Sequence, residues 1–265
     1  MYNFAYQRPT TLNEAADLAK KDDAKVLAGG MTLIPTCKQR LAQPSMMVDL
    51  GGLSDLVGVV SGKHSIRIGA MTRHIDVASH PEIRKLIPAL AYLAGSIGDA
   101  QVRNRGTIGG SLANNDPSAD YPASALGLGA IVQTNTRSFK ADDFFIGMFE
   151  TALEPGEIIT AVTLPIPEKA AYAKFRNPAS RYAVIGVWVS RGSEGIRVAV
   201  TGAGFGVFRV REMEEALAAE WSDEVIRPIS VPPDLCSSDM HASGEFRAHL
   251  IGVMAQRAIK QTLGA

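Results

Sequence analysis

Ala28-Gly29-Gly30-Met31-Thr32-Leu33 and Thr107-Ile108-Gly109-Gly110-Ser111-Leu112 are the two stretches on which the reading of this chain turns. Each double glycine is predicted to follow a short β-type run and to lead into small residues. That arrangement leaves main-chain N–H groups open to an anion approaching too closely for any Cβ to fit. Two such turns suit one extended ligand with two phosphates. Thr32, Thr107 and Ser111 place hydroxyl donors beside the amides, and Asp120 can accept from a sugar hydroxyl. Plainer readings stand beside these. Gly29-Gly30 also reads as the tight exit of a strand, Gly109-Gly110 as a bulge, and Asp120 as a first-turn helix carboxylate favoured by the macrodipole.

Outward from the first turn, Thr11 to Lys20 carries apolar residues at helical spacing, with Thr10 or Thr11 as N-cap and Glu14 placed to complete a capping box. A strand is predicted over 25–28, a helix over 33–41 and a second strand over 46–50, making residues 1–55 a small α/β unit. Residues 56–166 form a second unit. It has a hairpin (57–60 with 65–68), helices over 75–78, 89–98 and 120–128, and strands over 130–134 and 158–164. Pro165 and Pro167 mark a linker. In 167–265, antiparallel strands over 182–190 and 196–203 are joined near Gly192-Ser193-Glu194-Gly195. Helices over 212–220 and 246–263 complete an α+β unit.

Composition removes whole classes of partner. Lys plus Arg (27) balance Asp plus Glu (27), which leaves no net field to attract nucleic acid or an anionic membrane. The N-terminal residues lack the apolar stretch of a signal peptide, and the run Ala183 to Val189 is far shorter than the ~18 residues of a membrane span. A cytoplasmic location without membrane insertion is expected. Cys37 and Cys236 are the only cysteines, too few for the four thiolates of an iron–sulfur cluster.

Several familiar chemistries fail on inspection. Gly58 to His64 imitates a P-loop but is one residue short and lacks the Ser or Thr for magnesium, so a hairpin turn is expected there. Gly202-Ala203-Gly204-Phe205-Gly206 starts like a dinucleotide fingerprint but has no helix opening after it. The five histidines show no metal-ligand spacing and read as surface or structural residues. No nucleophile elbow or catalytic base stands out.

Three longer segments carry a family likeness: Ala28 to Pro35, Gln101 to Pro117, and Lys174-Phe175-Arg176-Asn177-Pro178-Ala179-Ser180-Arg181-Tyr182-Ala183. Together they closely resemble the FAD-binding medium subunit of the molybdenum hydroxylases (the xanthine oxidase family), with the nearest likeness in the aerobic carbon monoxide dehydrogenase branch. The resemblance spans essentially the whole chain. It implies an α+β protein whose FAD-binding fold, of the vanillyl-alcohol oxidase type, has two α/β subdomains followed by a C-terminal α+β subdomain with an antiparallel sheet. FAD is the implied cofactor. By the same likeness, Ala28, Gly29, Gly30, Met31, Thr32 and Leu33, with Thr107, Gly109, Gly110 and Ser111, hold the pyrophosphate. Ile97 sits near the flavin, Asp120 binds a cofactor hydroxyl, Leu164 and Arg176 line the cofactor, and Tyr182 lies near the isoalloxazine or, on the plainer reading, is a half-buried strand residue.

The implied role is an oxidoreductase subunit that takes electrons from two-iron two-sulfur clusters and passes them to an external acceptor. Its implied partners are a large molybdopterin-binding subunit and a small iron–sulfur subunit, in a dimer of heterotrimers. A stand-alone FAD-dependent oxidoreductase is the alternative. The chain departs from the family pattern at Met31, where a polar residue is usual. The lost side-chain hydrogen bond, worth about 0.5–1.5 kcal/mol, predicts weaker FAD retention.

Overall fold

A computed structural model describes residues 1–264. The N-terminal part runs β1 (Ala5–Gln7), α1 (Leu12–Ala19), β2 (Ala24–Leu27), α2 (Leu33–Lys38) and β3 (Met46–Asp49). The strands form a parallel sheet in the order β1-β3-β2. The capping box closes as expected: Thr11 Oγ1 accepts from the Glu14 N–H at 3.3 Å, and Glu14 Oε2 accepts from the Thr10 N–H at 3.2 Å. Helix α2 stops short of the expected 41, because Arg40 takes a left-handed φ of 63°. Ala15, Ala16, Val48 and Leu50 bury themselves with Ile158 from far along the chain.

Next come β4 (Val59–Ser61), β5 (Ser65–Gly69), α3 (His74–Ser79), α4 (Pro81–Leu86), α5 (Pro88–Ser96), α6 (Ala100–Arg105), α7 (Ile108–Asn114), α8 (Tyr121–Leu128), β6 (Ile131–Thr134), β7 (Ser138–Lys140), α9 (Ala141–Phe144), β8 (Phe145–Gly147), β9 (Glu150–Thr151) and β10 (Ile159–Pro165). The five-stranded sheet β4-β5-β10-β6-β7 is antiparallel at every pairing, and its β4–β5 pair is the expected hairpin. One sequence expectation needs correction. The second double glycine follows helix α6, not a strand, and lies in the first turn of α7 with Thr107 as N-cap. Glycine's poor helix propensity conceals that turn from a sequence reading. The false P-loop is the expected hairpin, with Gly62 donating to Ser65 O at 2.8 Å.

The C-terminal part comprises β11 (Lys169–Arg176), β12 (Ala183–Gly192), β13 (Gly195–Thr201), β14 (Phe208–Arg209), α10 (Arg211–Ala219), α11 (Asp223–Ile226) and α12 (Gly244–Leu263). Its antiparallel sheet, β11-β12-β13-β14, is covered by α12 through Ile251, Met254, Ala258 and Ile259. The opposite face is bound to α8. Trp188 packs on Gly127 so closely that a Cβ there would stand 2.8 Å from Trp188 Cγ. Thr201 Oγ1 donates towards Pro117 O (3.0 Å) and Ala119 O (2.7 Å), and the Gly202 N–H donates to Pro117 O. These bonds fix the loop before α8 against the end of β13. Among the described residues no helix is long and apolar enough to cross a membrane.

Candidate functional site

A cavity of about 800 Å³ opens where the three sheets' connecting loops converge, a size suited to a cofactor cleft of roughly 300–1,000 Å³. Its wall gathers Ala28, Gly29, Gly30, Met31, Thr32, Leu33, Ile97, Thr107, Gly109, Gly110, Ser111, Asp120 and Tyr182, thirteen of the residues singled out from sequence. The other two are elsewhere. Leu164 is 1% exposed in the core, opposite Ile66 on β5, and Arg176 is exposed at the end of β11. Neither belongs to the cavity wall.

The two double-glycine turns abut each other but do different work. A Cβ at Gly29 would lie 2.7 Å from Gly106 Cα and closer still to the Arg105 carbonyl oxygen; one at Gly110 would lie 3.4 Å from Ala28 Cβ. Gly30 has a φ of 74°, which only glycine adopts freely. Among the described residues, the N–H groups of Gly29, Gly30, Met31 and Thr32 donate to no protein acceptor. They form a row of unused donors leading into α2, as expected for an anion cradle. The second turn does not share this property. Ile108 donates to Thr72 O (3.1 Å), Gly109 to Ala70 O (2.9 Å), Gly110 to Thr107 Oγ1 (3.2 Å) and Ser111 to Thr107 O (3.0 Å). The bare-amide reading therefore fails for Gly109-Gly110. What these glycines supply is close approach: a Cβ at Gly109 would meet the Ala70 backbone at 2.8 Å.

Asp120 is 5% exposed beside the cavity. Its carboxylate accepts from Tyr172 O–H and from Lys174 Nζ at 2.9 Å, and Lys174 is itself buried (4% exposed). Asp120 is the N-cap residue of α8 but makes no side-chain cap bond to it. Burial pushes its carboxyl up, and Lys174 together with Tyr172 opposes that shift. Each carboxylate oxygen retains a lone pair for a ligand hydroxyl. Tyr182, 46% exposed, stands at the cavity rim one residue before β12. A tight loop presents it: Asn177 Oδ1 accepts from Ala179 and Ser180 N–H groups at 2.9 and 3.0 Å, and Arg181 takes a φ of 62°. Partial burial, then the charges of Asp116 and Asp120, raise the Tyr182 hydroxyl. Glu157 also reaches the wall, yet its carboxylate is engaged elsewhere. Burial would raise it, but hydrogen bonds from Arg137, the Glu154 N–H, Thr134 and Thr136 hold it at about 2.

His74, which the sequence reads as a surface or structural residue, lies in the cavity wall. It is 5% exposed, and its ring packs against Tyr121 at a centroid distance of 5.2 Å. No local motif marks it, because its neighbours come from α6 and α8. Burial, and secondarily the Arg103 charge, lowers its pKa from 6.5 to about 4. A depressed histidine stabilises the fold fully above pH 6.5 and loses that contribution as pH falls towards 4. We expect acidification over this window to remove up to roughly 3 kcal/mol of stability. Denaturant unfolding at both pH values should show this loss in the native chain and not in His74→Gln; equal pH slopes would disprove it.

The chain belongs to the family described as FAD binding domain in molybdopterin dehydrogenase, whose model matches residues 2–167. It is 34% identical to the nicotine 6-hydroxylase medium subunit of Paenarthrobacter nicotinovorans, over 96% of this chain and 95% of the relative. It is 32% identical to the glyceraldehyde dehydrogenase medium chain of Sulfolobus acidocaldarius, over 97% and 98%. Its fold superposes on a chain of carbon monoxide dehydrogenase from Hydrogenophaga pseudoflava with a TM-score of 0.89 at 31% identity, covering 99% of this chain and 98% of that one. The expected family, α+β FAD-binding fold and oxidoreductase class therefore hold, and FAD is the cofactor of this domain.

Proposed function

We propose that this chain is the electron-transfer subunit of a molybdenum-containing dehydrogenase, receiving electrons from two-iron two-sulfur clusters of a small partner subunit and delivering them to an external acceptor. The large partner holds the molybdopterin and the substrate, and two copies of each subunit assemble in the cytoplasm. The observation that carries the reading is the cavity itself, whose wall holds both a row of four unused main-chain donors and the buried Asp120 with the exposed Tyr182. That donor set fits FAD. Bound FAD supplies a centre that accepts electrons singly and releases them in pairs.

Within this site, Gly29 to Thr32 cradle the pyrophosphate, Thr107 and Ser111 add hydroxyl donors, Asp120 accepts from a cofactor hydroxyl, and Tyr182 shields the ring end. The separate sheets within 1–55, 56–166 and 167–265 support dividing the chain there. Two buried free cysteines are too few to ligate a cluster, which fits electrons arriving from a partner's clusters. Relatives of similar identity are named for nicotine and glyceraldehyde, and the structural neighbour for carbon monoxide. A medium chain whose fold is kept at a TM-score of 0.89 while the named substrates differ this much supports locating substrate choice in another subunit.

The FAD-loaded chain alone should show negligible flavin reduction with carbon monoxide, aldehydes or N-heterocycles. Adding its co-purifying partners should restore reduction by the complex's substrate. Rapid reduction of the isolated chain by any of these compounds would favour a stand-alone oxidoreductase instead.

A further inference from the structure

On the second-turn side, the cavity wall is short of main-chain donors, because Ile108, Gly109, Gly110 and Ser111 all direct their N–H groups to protein oxygens. An anionic or hydroxyl-rich ligand lying against that side must take its hydrogen bonds from side chains. His74 brings an unpaired ring to that side. Its ring makes no hydrogen bond among the described residues, and Nδ1 is fully enclosed without a partner. With Nδ1 enclosed, Nε2 is the ring nitrogen left to meet a ligand at the cavity wall.

The ring is also held in place. The His74 N–H donates to Gly106 O at 2.9 Å, and Arg73 forms a bridge with Thr107. Arg73 clasps Asp76 through two bonds of 2.8 and 3.1 Å, which anchors the start of α3. Tyr121 packs on the imidazole. Gly106 completes the seat, since a Cβ there would stand 2.5 Å from His74 Nε2. A rigid, buried, unpaired imidazole in a cofactor wall has the features of a ligand group rather than of filler. With no acceptor beside the enclosed Nδ1, the tautomer that carries its proton on Nε2 avoids burying an orphan N–H.

We propose that His74 contacts the cofactor directly, its neutral imidazole donating from Nε2 to an oxygen of the pyrophosphate–ribityl stretch of FAD. It supplies on the second-turn side the hydrogen bonding that bare amides supply at Gly29 to Thr32. This inference rests on FAD occupying the cavity described above. It also makes α3 part of the site, and it explains why Gly106 must lack a side chain.

The test uses the full-length chain freed of flavin and titrated with FAD, read by quenching of flavin fluorescence. His74→Phe should weaken binding at least about tenfold, the scale of losing one hydrogen bond to a charged group. His74→Gln retains an N–H donor and should stay within about threefold of the native chain. A second measurement avoids mutation altogether: the ring ¹⁵N resonances of His74 in the native chain should shift when FAD is added. Unchanged resonances, or native affinity in His74→Phe, would overturn the assignment while leaving the cofactor site intact. Failure of the native chain itself to bind FAD would overturn the site.

Discussion

Gly29→Ala is expected to leave the purified chain without FAD. A single methyl group suffices, because the added Cβ would lie 2.7 Å from both the Arg105 carbonyl carbon and Gly106 Cα, and nearer still to the Arg105 oxygen. These are main-chain atoms at the end of α6, and Gly106 is pinned to the His74 N–H, so nothing flexible can yield. The two turns must part, which moves the four unused donors away from the Thr107 and Ser111 hydroxyls. A ligand held from both sides then loses one side, a loss on the order of 100-fold, or about 3 kcal/mol. The same change at Gly110 meets softer neighbours, Thr107 Oγ1 at 2.9 Å and Ala28 Cβ at 3.4 Å, so Gly110→Ala should weaken binding less and Gly110→Val more. The flavin-to-protein ratio, with circular dichroism to confirm the fold, measures all three. Stoichiometric FAD in Gly29→Ala would show that the turns need not touch.

The legible parts of this site are those whose constraints are local. Gly29-Gly30 announces itself because a positive φ and a close backbone approach each demand glycine, and the capping box at Thr11 and Glu14 is complete within four residues. The second double glycine is legible in place but not in role: a glycine pair looks like a turn, yet Thr107 caps it into a helix whose first amides are satisfied by protein oxygens. Strand β11 is not legible in the sequence because Lys169-Ala170-Ala171-Tyr172-Ala173-Lys174 lacks the β-branched residues that mark strands. The antiparallel pairing of β10 with both β5 and β6 joins segments far apart in the chain, and no local pattern encodes such register. His74 and Lys174 acquire their roles from neighbours on other elements. Lys174 and Asp120 lie 54 residues apart, and only folding gives the pair meaning.

Lys174→Met should be the most destabilising single change at the seam between the FAD-binding part and the C-terminal sheet. It removes the ammonium but leaves Asp120, 5% exposed, with only the Tyr172 hydroxyl as partner. Breaking one half of a buried ion pair costs about 3–5 kcal/mol, or roughly 10 °C in Tm for a chain of this size. The pH dependence identifies the cause. Burial already raises the Asp120 carboxyl against the opposing charge of Lys174, so without Lys174 it rises further. A carboxyl raised in the folded state favours folding below its unfolded value, and that contribution is lost as pH rises through the folded one. The deficit of Lys174→Met relative to the native chain should therefore be large at pH 8 and shrink towards pH 5, where Asp120 takes up a proton and no longer needs a counter-charge. Asp120→Asn in the Lys174→Met background removes the orphaned charge at similar shape, and should recover most of the lost stability at pH 8. A deficit independent of pH, or strict additivity of the two changes, would mean that the pair contributes through packing alone. Because Asp120 also faces the cavity, the double variant separates stability from binding: it should fold nearly as well as the native chain and still bind FAD less tightly, since an amide cannot replace the carboxylate as a charged acceptor.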